Sequence, residues 1–239
     1  MSKHTILVTG GAGFIGSHIV EACIKKGHTV IVVDDLSSGD TEHLHPDAIF
    51  YDMDIRSPQL REVFTAHSPD IISHHAAQID VRKSVDDPLY DADVNIHGSL
   101  NLLEMSVKYG VKKFLFASTG GAIYGSPEKL PATEKCIPQP ESPYGTSKLC
   151  VEQYIMLYSR IHKLKYTILR YPNVYGPRQS PHGEAGVCSI LAGLMLRKKA
   201  PILYGQGDPF RDYVYVSDIA HATLLALHKG NGETLNLGS

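Results

Sequence analysis

The feature that most constrains this chain is a glycine-rich turn, TGGAGFIGSH at residues 9–18, set between a short apolar run and an amphipathic stretch. Gly10, Gly13 and Gly16 form G-x-x-G-x-x-G, and Gly11, Gly13 and Gly16 also satisfy G-x-G-x-x-G. TILVT (5–9) has the apolar, β-branched character of a buried parallel strand. From Phe14 to Lys26 the pattern is an amphipathic helix, with Gly27 as its C-cap. The next apolar run, TVIVVDD (29–35), is a second strand. A strand that turns through glycines into a helix and then into another strand is a βαβ unit, and it commits the rest of the chain to a parallel sheet.

Glycines in such a turn allow a tight bend, close approach of the backbone to a pyrophosphate, and helix–strand packing. The helix start adds free N–H groups and a positive dipole end. Asp34 closes the second strand about 20 residues on, where a carboxylate accepts hydrogen bonds from adenosine ribose hydroxyls and repels a 2′-phosphate. The following DDLSSGD holds no Arg or Lys to attract one. Gly10, Gly13, Gly16 and Asp34 therefore predict a site for NAD rather than NADP.

Alternation continues. AIFYDMD (48–54), DIISHHA (70–76), KFLFAST (113–119) and YTILRY (166–171) read as strands. Residues 57–67, with Pro58 in the first turn, 91–109 and 144–161 read as helices. The predicted fold class is α/β: a Rossmann-like doubly wound parallel sheet with a small, incomplete substrate-binding subdomain. After Tyr171, Pro and Gly become frequent around one helical stretch at 185–199. RDYVYVSD, a helix at 217–229 and ETLNLGS follow. The expected organisation is an NAD-binding domain over 1–175, with 211–239 returning to it. Residues 176–210 form part of the subdomain, whose remainder is expected outside this chain.

SPYGTSK (142–148) places Tyr144 and Lys148 one helical turn apart, on one face. A free phenol is a poor base at neutral pH, but a nearby ammonium and an oxidised nicotinamide ring lower its pKa. Tyr144 then takes a proton from a substrate hydroxyl while Lys148 also holds the nicotinamide ribose. A third hydroxyl is expected from the end of the fifth strand, where Ser118 and Thr119 both qualify.

Bulk properties exclude other classes. A net charge of −2 gives no electrostatic case for nucleic acid or an anionic membrane as partner, and no apolar run approaches a membrane span. The four cysteines form no CxxC pair and read as reduced thiols of a cytoplasmic protein. The 13 histidines show no HExxH or similar spacing, so no metal is expected and most should be surface or loop residues.

With these motifs in place, the chain resembles the extended short-chain dehydrogenase/reductases, specifically the NAD-dependent nucleotide-sugar epimerase and dehydratase family. The matching segments run in order: TGGAGFIGSH, DIRS, HHAAQIDVRKSV, DVNIHGSLNLLE, SPYGTSK, LRYPNVYGPRQ and FRDYVYVSD. Within that family the resemblance is nearest to UDP-glucose 4-epimerases whose fifth strand ends in STGGAIYG. It implies that Phe14 and Ile15 lie against the cofactor and that Asp54 and Ile55 contact adenine. Ala76, Ala77 and Gln78 border the cofactor diphosphate and ribose, and Asn95 orders that side. Tyr171 and Asn173 lie near the nicotinamide and the sugar diphosphate. Arg211 pairs with the substrate diphosphate, the other use of its guanidinium being a surface ion pair with Asp208 or Asp212.

Counting back four residues from Tyr124, where many relatives carry the catalytic hydroxyl, lands on Gly120. Thr119 is therefore the first choice and Ser118 the second. Gly120 and Gly121 replace the Asp-Glu pair of dehydratases, which argues against loss of water. The implied activity is NAD-dependent 4-epimerisation of a UDP-hexose through a 4-keto intermediate. The alternatives are a UDP-glucuronate 4-epimerase or decarboxylase, or an NAD-binding module without turnover. A homodimer is implied as well, through the helices that carry Leu102, Leu103, Leu149, Ile155 and Leu157.

Overall fold

The computed structural model describes residues 3–127, 129–181, 186–201 and 210–238. The strands are β1 (Thr5–Thr9), β2 (Thr29–Asp34), β3 (Ile49–Asp52), β4 (Ile71–His74), β5 (Lys113–Thr119), β6 (Lys165–Tyr171), β7 (Asn173–Tyr175), β8 (Tyr213–Tyr215) and β9 (Glu233–Asn236). The helices are α1 (Phe14–Lys25), α2 (Leu60–His67), α3 (Val81–Asp86), α4 (Pro88–Ala92), α5 (Gly98–Lys108), α6 (Gly120–Ile123), α7 (Pro143–His162), α8 (Val187–Leu196) and α9 (Val216–Ala226).

Among the described residues, one seven-stranded sheet runs β3-β2-β1-β4-β5-β6-β9, every neighbouring pair parallel. β7 and β8 form a separate two-stranded parallel sheet. Strand order reverses between β1 and β4, which opens a crevice at the carboxyl ends of the strands. The period of two divides each strand between two apolar layers. Leu7, Ile31, Ile72, Phe114, Phe116 and Ile168 pack with residues of α2, α5 and α7. Ile6, Val8, Val32, Ile71, Leu115 and Leu169 pack with residues of α1 and α9.

Several boundaries differ from expectation for local reasons. α2 starts at Leu60, because Ser57 and Leu60 first close turns onto Asp54 and Ser57, leaving Pro58 ahead of the helix. The predicted helix over 91–109 is α4, a π-helical turn at Asp93–His97, and α5. At the last junction Gly98 lets the Ile55 side chain pack close: a Cβ there would lie 2.6 Å from Ile55 Cδ1. α8 carries no buried residue, and Ala185, its first expected position, lies outside the described residues.

The apolar face expected to form a dimer contact is largely internal. Leu102, Leu103 and Ile155 are wholly buried against the sheet, Leu149 is half-buried, and Leu157 is exposed. Most described histidines are partly or fully exposed, but His28 and His74 are buried. No described helix is long and apolar enough to cross a membrane.

Candidate active site

The glycine turn is shaped by close backbone approach. A Cβ on Gly16 would sit 2.0 Å from Gly10 O, and one on Gly10 would sit 2.6 Å from Ala76 N. Gly10 also has φ +69, in the left-handed region. α1 begins at N-cap Gly13 with no side-chain cap and no acidic residue in its first turn. Its free donors and dipole therefore face the crevice unopposed, with Phe14 and Ile15 half-buried beside them. This is a cradle fitted to a pyrophosphate, with no side chain filling it.

Asp34 is buried and accepts from Ala12 N at 2.9 Å and Leu36 N at 3.0 Å. Burial raises its pKa, opposed by those two N–H groups. The carboxylate thus fixes the cradle from behind. Arg56 grips the Asp54 carboxylate and reaches Asp93 at 2.5 Å. That guanidinium holds Asp54 below the usual carboxylate range. The Ile55 side chain is turned inward against Gly98, and its carbonyl accepts from Asn101.

The segment after β4 is held by a reciprocal clamp. Asn95 Oδ1 accepts from Gln78 N at 2.9 Å while Asn95 Nδ2 donates to Gln78 O at 3.0 Å. Gln78 does not turn its amide to the crevice, since it bonds Asp80 and Asp91 internally. Ala76 and Ala77 remain as small, half-buried walls. The Tyr171 phenol is also directed elsewhere. It is buried, lies 3.4 Å from Thr223 Oγ1 of α9, and stacks on His75.

α7 starts with Ser142 capping Gly145 N and Pro143 in the first turn. Gly145 is required there, because a Cβ would meet Ala122 O at 2.5 Å. Tyr144 is half-buried and Lys148 is buried; Lys148 Nζ lies 5.9 Å from the Tyr144 ring centroid. Nζ donates to Ala117 O at 3.0 Å and sits 4.9 Å over the Phe116 ring. Among the protein groups, those that shift the Tyr144 phenol act upward. Burial, and then the Asp91 carboxylate, raise the Tyr144 pKa. Burial brings Lys148 down to about 8, against the pull of Asp91 and Glu152.

Ser118 and Thr119 point to opposite faces of β5. Ser118 Oγ donates to Glu152 Oε1 at 2.5 Å, and Glu152 is gripped at both oxygens by Arg170. Arg170 also donates to Tyr124 Oη, which donates to Asn236 of β9. Ser118 therefore belongs to a buried polar network behind the crevice. Thr119 Oγ1 accepts from Ala122 N at 3.1 Å as the cap of α6, which leaves its own proton free to donate. The sequence reading passed over Glu152, although its spacing puts Tyr144, Lys148 and Glu152 on one helical stripe.

On the far side, Asn173 Nδ2 donates to Asp212 O at 3.1 Å, beside Arg211. Both Asn173 and Arg211 are exposed, and among the described residues Arg211 bonds only the carbonyl of Phe210. Asp208, one alternative partner for it, lies outside the described residues. Two residues not singled out in the sequence pin this side to the cradle helix. Arg178 donates to Ser17 Oγ and Glu21 Oε2, and His18 Nε2 meets Pro177 O.

Comparison with known proteins agrees with this architecture. A model of the NAD dependent epimerase/dehydratase family matches residues 6–238. The UDP-glucose 4-epimerase of Mycolicibacterium smegmatis is 41% identical over 239 residues, covering 98% of this chain and 76% of the relative. The Thermotoga maritima UDP-glucose 4-epimerase solved with UDP-glucose superposes with a TM-score of 0.96 at 53% identity, over 98% of this chain and 77% of that one. The Thermus thermophilus UDP-glucose 4-epimerase, solved with NAD, gives 0.93 at 47% identity, over 98% and 78%. A glycine cradle with an acid behind it, a Tyr–Lys helix beside it and a match over nearly the whole chain lead to one assignment: the chain belongs to the NAD dependent epimerase/dehydratase family.

Proposed function

We propose that this chain inverts C4 of a UDP-hexose, interconverting UDP-glucose and UDP-galactose. Bound NAD supplies a hydride acceptor and donor at C4, by way of a 4-keto sugar, and in its oxidised form a positive charge beside Tyr144. The α1 N-terminus and its glycines hold the cofactor pyrophosphate, and Asp34 holds the adenosine ribose. Tyr144 takes the proton of the sugar hydroxyl and later returns it. Thr119 donates to the same sugar oxygen, and Lys148 holds the face of α7 against β5. Asn173 and Arg211 engage the UDP diphosphate, so that the hexose is anchored at one end and free to turn at the other.

The observation that most supports this reading is the bond from Lys148 Nζ to Ala117 O. It ties the Tyr144 face of α7 to the strand that ends in Thr119. The test is product chromatography after incubation with UDP-galactose or, separately, UDP-glucuronate. UDP-glucose from the first is expected. Product from the uronate alone would move the substrate assignment. Reduced-nicotinamide fluorescence without product would mean half a reaction, and no signal would mean a binding module.

We place the enzyme in a reducing, cytoplasmic compartment, in keeping with its four free thiols. We also propose a homodimer through the outer face of α7, where Leu157 and Ile161 are exposed. Light scattering should give twice the chain mass, and a single chain's mass would refute it.

A further inference from the structure

Asp91 of α4 is wholly buried, and none of the roles above uses it. Its partners among the described residues are three neutral donors: Gln78 Nε2 at 3.0 Å, Asn95 Nδ2 at 3.0 Å and Ser147 Oγ at 2.6 Å. Both amides are oriented by main-chain N–H groups on their oxygens, Gln78 N for Asn95 and Asp80 N for Gln78, so each presents its NH2 to Asp91. Three donors around one carboxyl is the pattern of an ionised carboxylate. The other buried carboxylate near Lys148, that of Glu152, is neutralised by Arg170. Among the described residues Asp91 has no such counter-ion, and Ser147, which ties it to α7, is the residue before Lys148.

We propose that Asp91 is a positioning residue for the proton-transfer pair: its buried negative charge and its bond to Ser147 keep Lys148 cationic and hold the Tyr144–Lys148 face against the crevice. The proposal rests on the function proposed above. The charged and titratable groups around Lys148 are Asp91 from α4, Glu152 and Tyr144 from α7, and His74 and His75 at the end of β4. Both histidines are held neutral, chiefly by burial. Glu152 is already paired, so Asp91 is the group whose removal changes the field at Lys148 without breaking an ion pair. The same charge raises the Tyr144 phenol, so the pair is tuned together.

Asp91→Asn tests this with little change of shape. Its Oδ1 keeps both amide donors, and its Nδ2 donates to a reversed Ser147 hydroxyl. In the NAD-loaded enzyme the alkaline limb of kcat should move down by about one pH unit, with about a tenfold loss above it and KM for UDP-galactose within twofold. Ser147→Ala keeps the charge, so its limb should stay in place. A tyrosinate difference titration, each protein against its Tyr144→Phe counterpart, should also shift down in Asp91→Asn, and this readout needs no turnover. Wild-type protein inactive on UDP-galactose would sink the functional reading and leave the titration to judge Asp91. An unmoved limb and titration in folded Asp91→Asn, or equal movement in Ser147→Ala, would overturn the proposal. If Asp91→Asn does not fold, Asp91→Ser repeats the test, and failure of both to fold overturns it in favour of a purely structural role.

Discussion

Around the glycine turn and behind the crevice, polar side chains are buried and partnered: Asp34 on Ala12 and Leu36, Asn95 on Gln78, Glu152 on Arg170 and Ser118. Around β7, β8 and α8, Asn173 and Arg211 are exposed, Phe210 is 95% exposed, and α8 buries none of its residues. The reacting groups stand on the first kind of structure. Proton and hydride transfer require groups held to within a fraction of an ångström, which buried, fully bonded networks provide. A diphosphate anchor works from an exposed guanidinium, because charge attraction tolerates small displacements.

The contrast predicts unequal consequences. Tyr144→Phe should lower kcat about 10³-fold while the protein still retains NAD, read by turnover and by cofactor released on denaturation. Activity within tenfold of the parent would remove Tyr144 as the base. Arg170→Met leaves the buried Glu152 charge unpaired and should lower stability by about 3–5 kcal/mol in urea unfolding. Leu196→Ser, on the 85% exposed end of α8, should stay within about 0.5 kcal/mol. Equal effects from these two changes would erase the distinction between the regions.

Acid should act on the buried side as well. Burial holds His75 down to about 3 and His74 well below its ordinary value. Between the folded and unfolded pKa values only the unfolded chain takes up those protons. Stability is therefore lost as pH falls below about 6.5, by about 1.4 kcal/mol per pH unit for each histidine. Urea midpoints at about pH 7 and about pH 5 measure this, and a His74→Asn variant should show a shallower dependence. Gly16→Ala drives a methyl toward Gly10 O and should weaken NAD retention about tenfold or more. Among the activity effects the smallest is Arg211→Ala, expected to raise KM for the UDP-sugar about fivefold with kcat unchanged.

What could be read in advance follows from how local each signal is. The residues of β1 and β5 match the expected runs end to end, since an unbroken apolar segment between turn residues has one use in a parallel sheet. The glycine cradle was legible because its close contacts exclude any side chain. Tyr144 and Lys148 were legible because helical spacing alone puts them on one face. Asp91 was not, because along the chain it sits among Asp86, Asp87 and Asp93 and looks like another surface acid. Its link to the Tyr144–Lys148 helix appears only when α7 brings Ser147 to it. Leu102, Leu103 and Ile155 were misread for a related reason: an apolar helix position does not say whether it faces a sheet or another subunit. The pairing of β7 with β8 joins two three-residue strands distant in sequence, too short for any periodic pattern. Ser118 and Thr119 could have been separated from sequence, since strand alternation alone sends adjacent residues to opposite faces.

The most direct measurement follows a deuterium placed at C4 of UDP-galactose through turnover in ordinary water. If Tyr144 handles only the hydroxyl proton while the C4 hydrogen leaves and returns within one closed site, the UDP-glucose formed carries deuterium at C4. Product with hydrogen from solvent at that carbon would contradict the account.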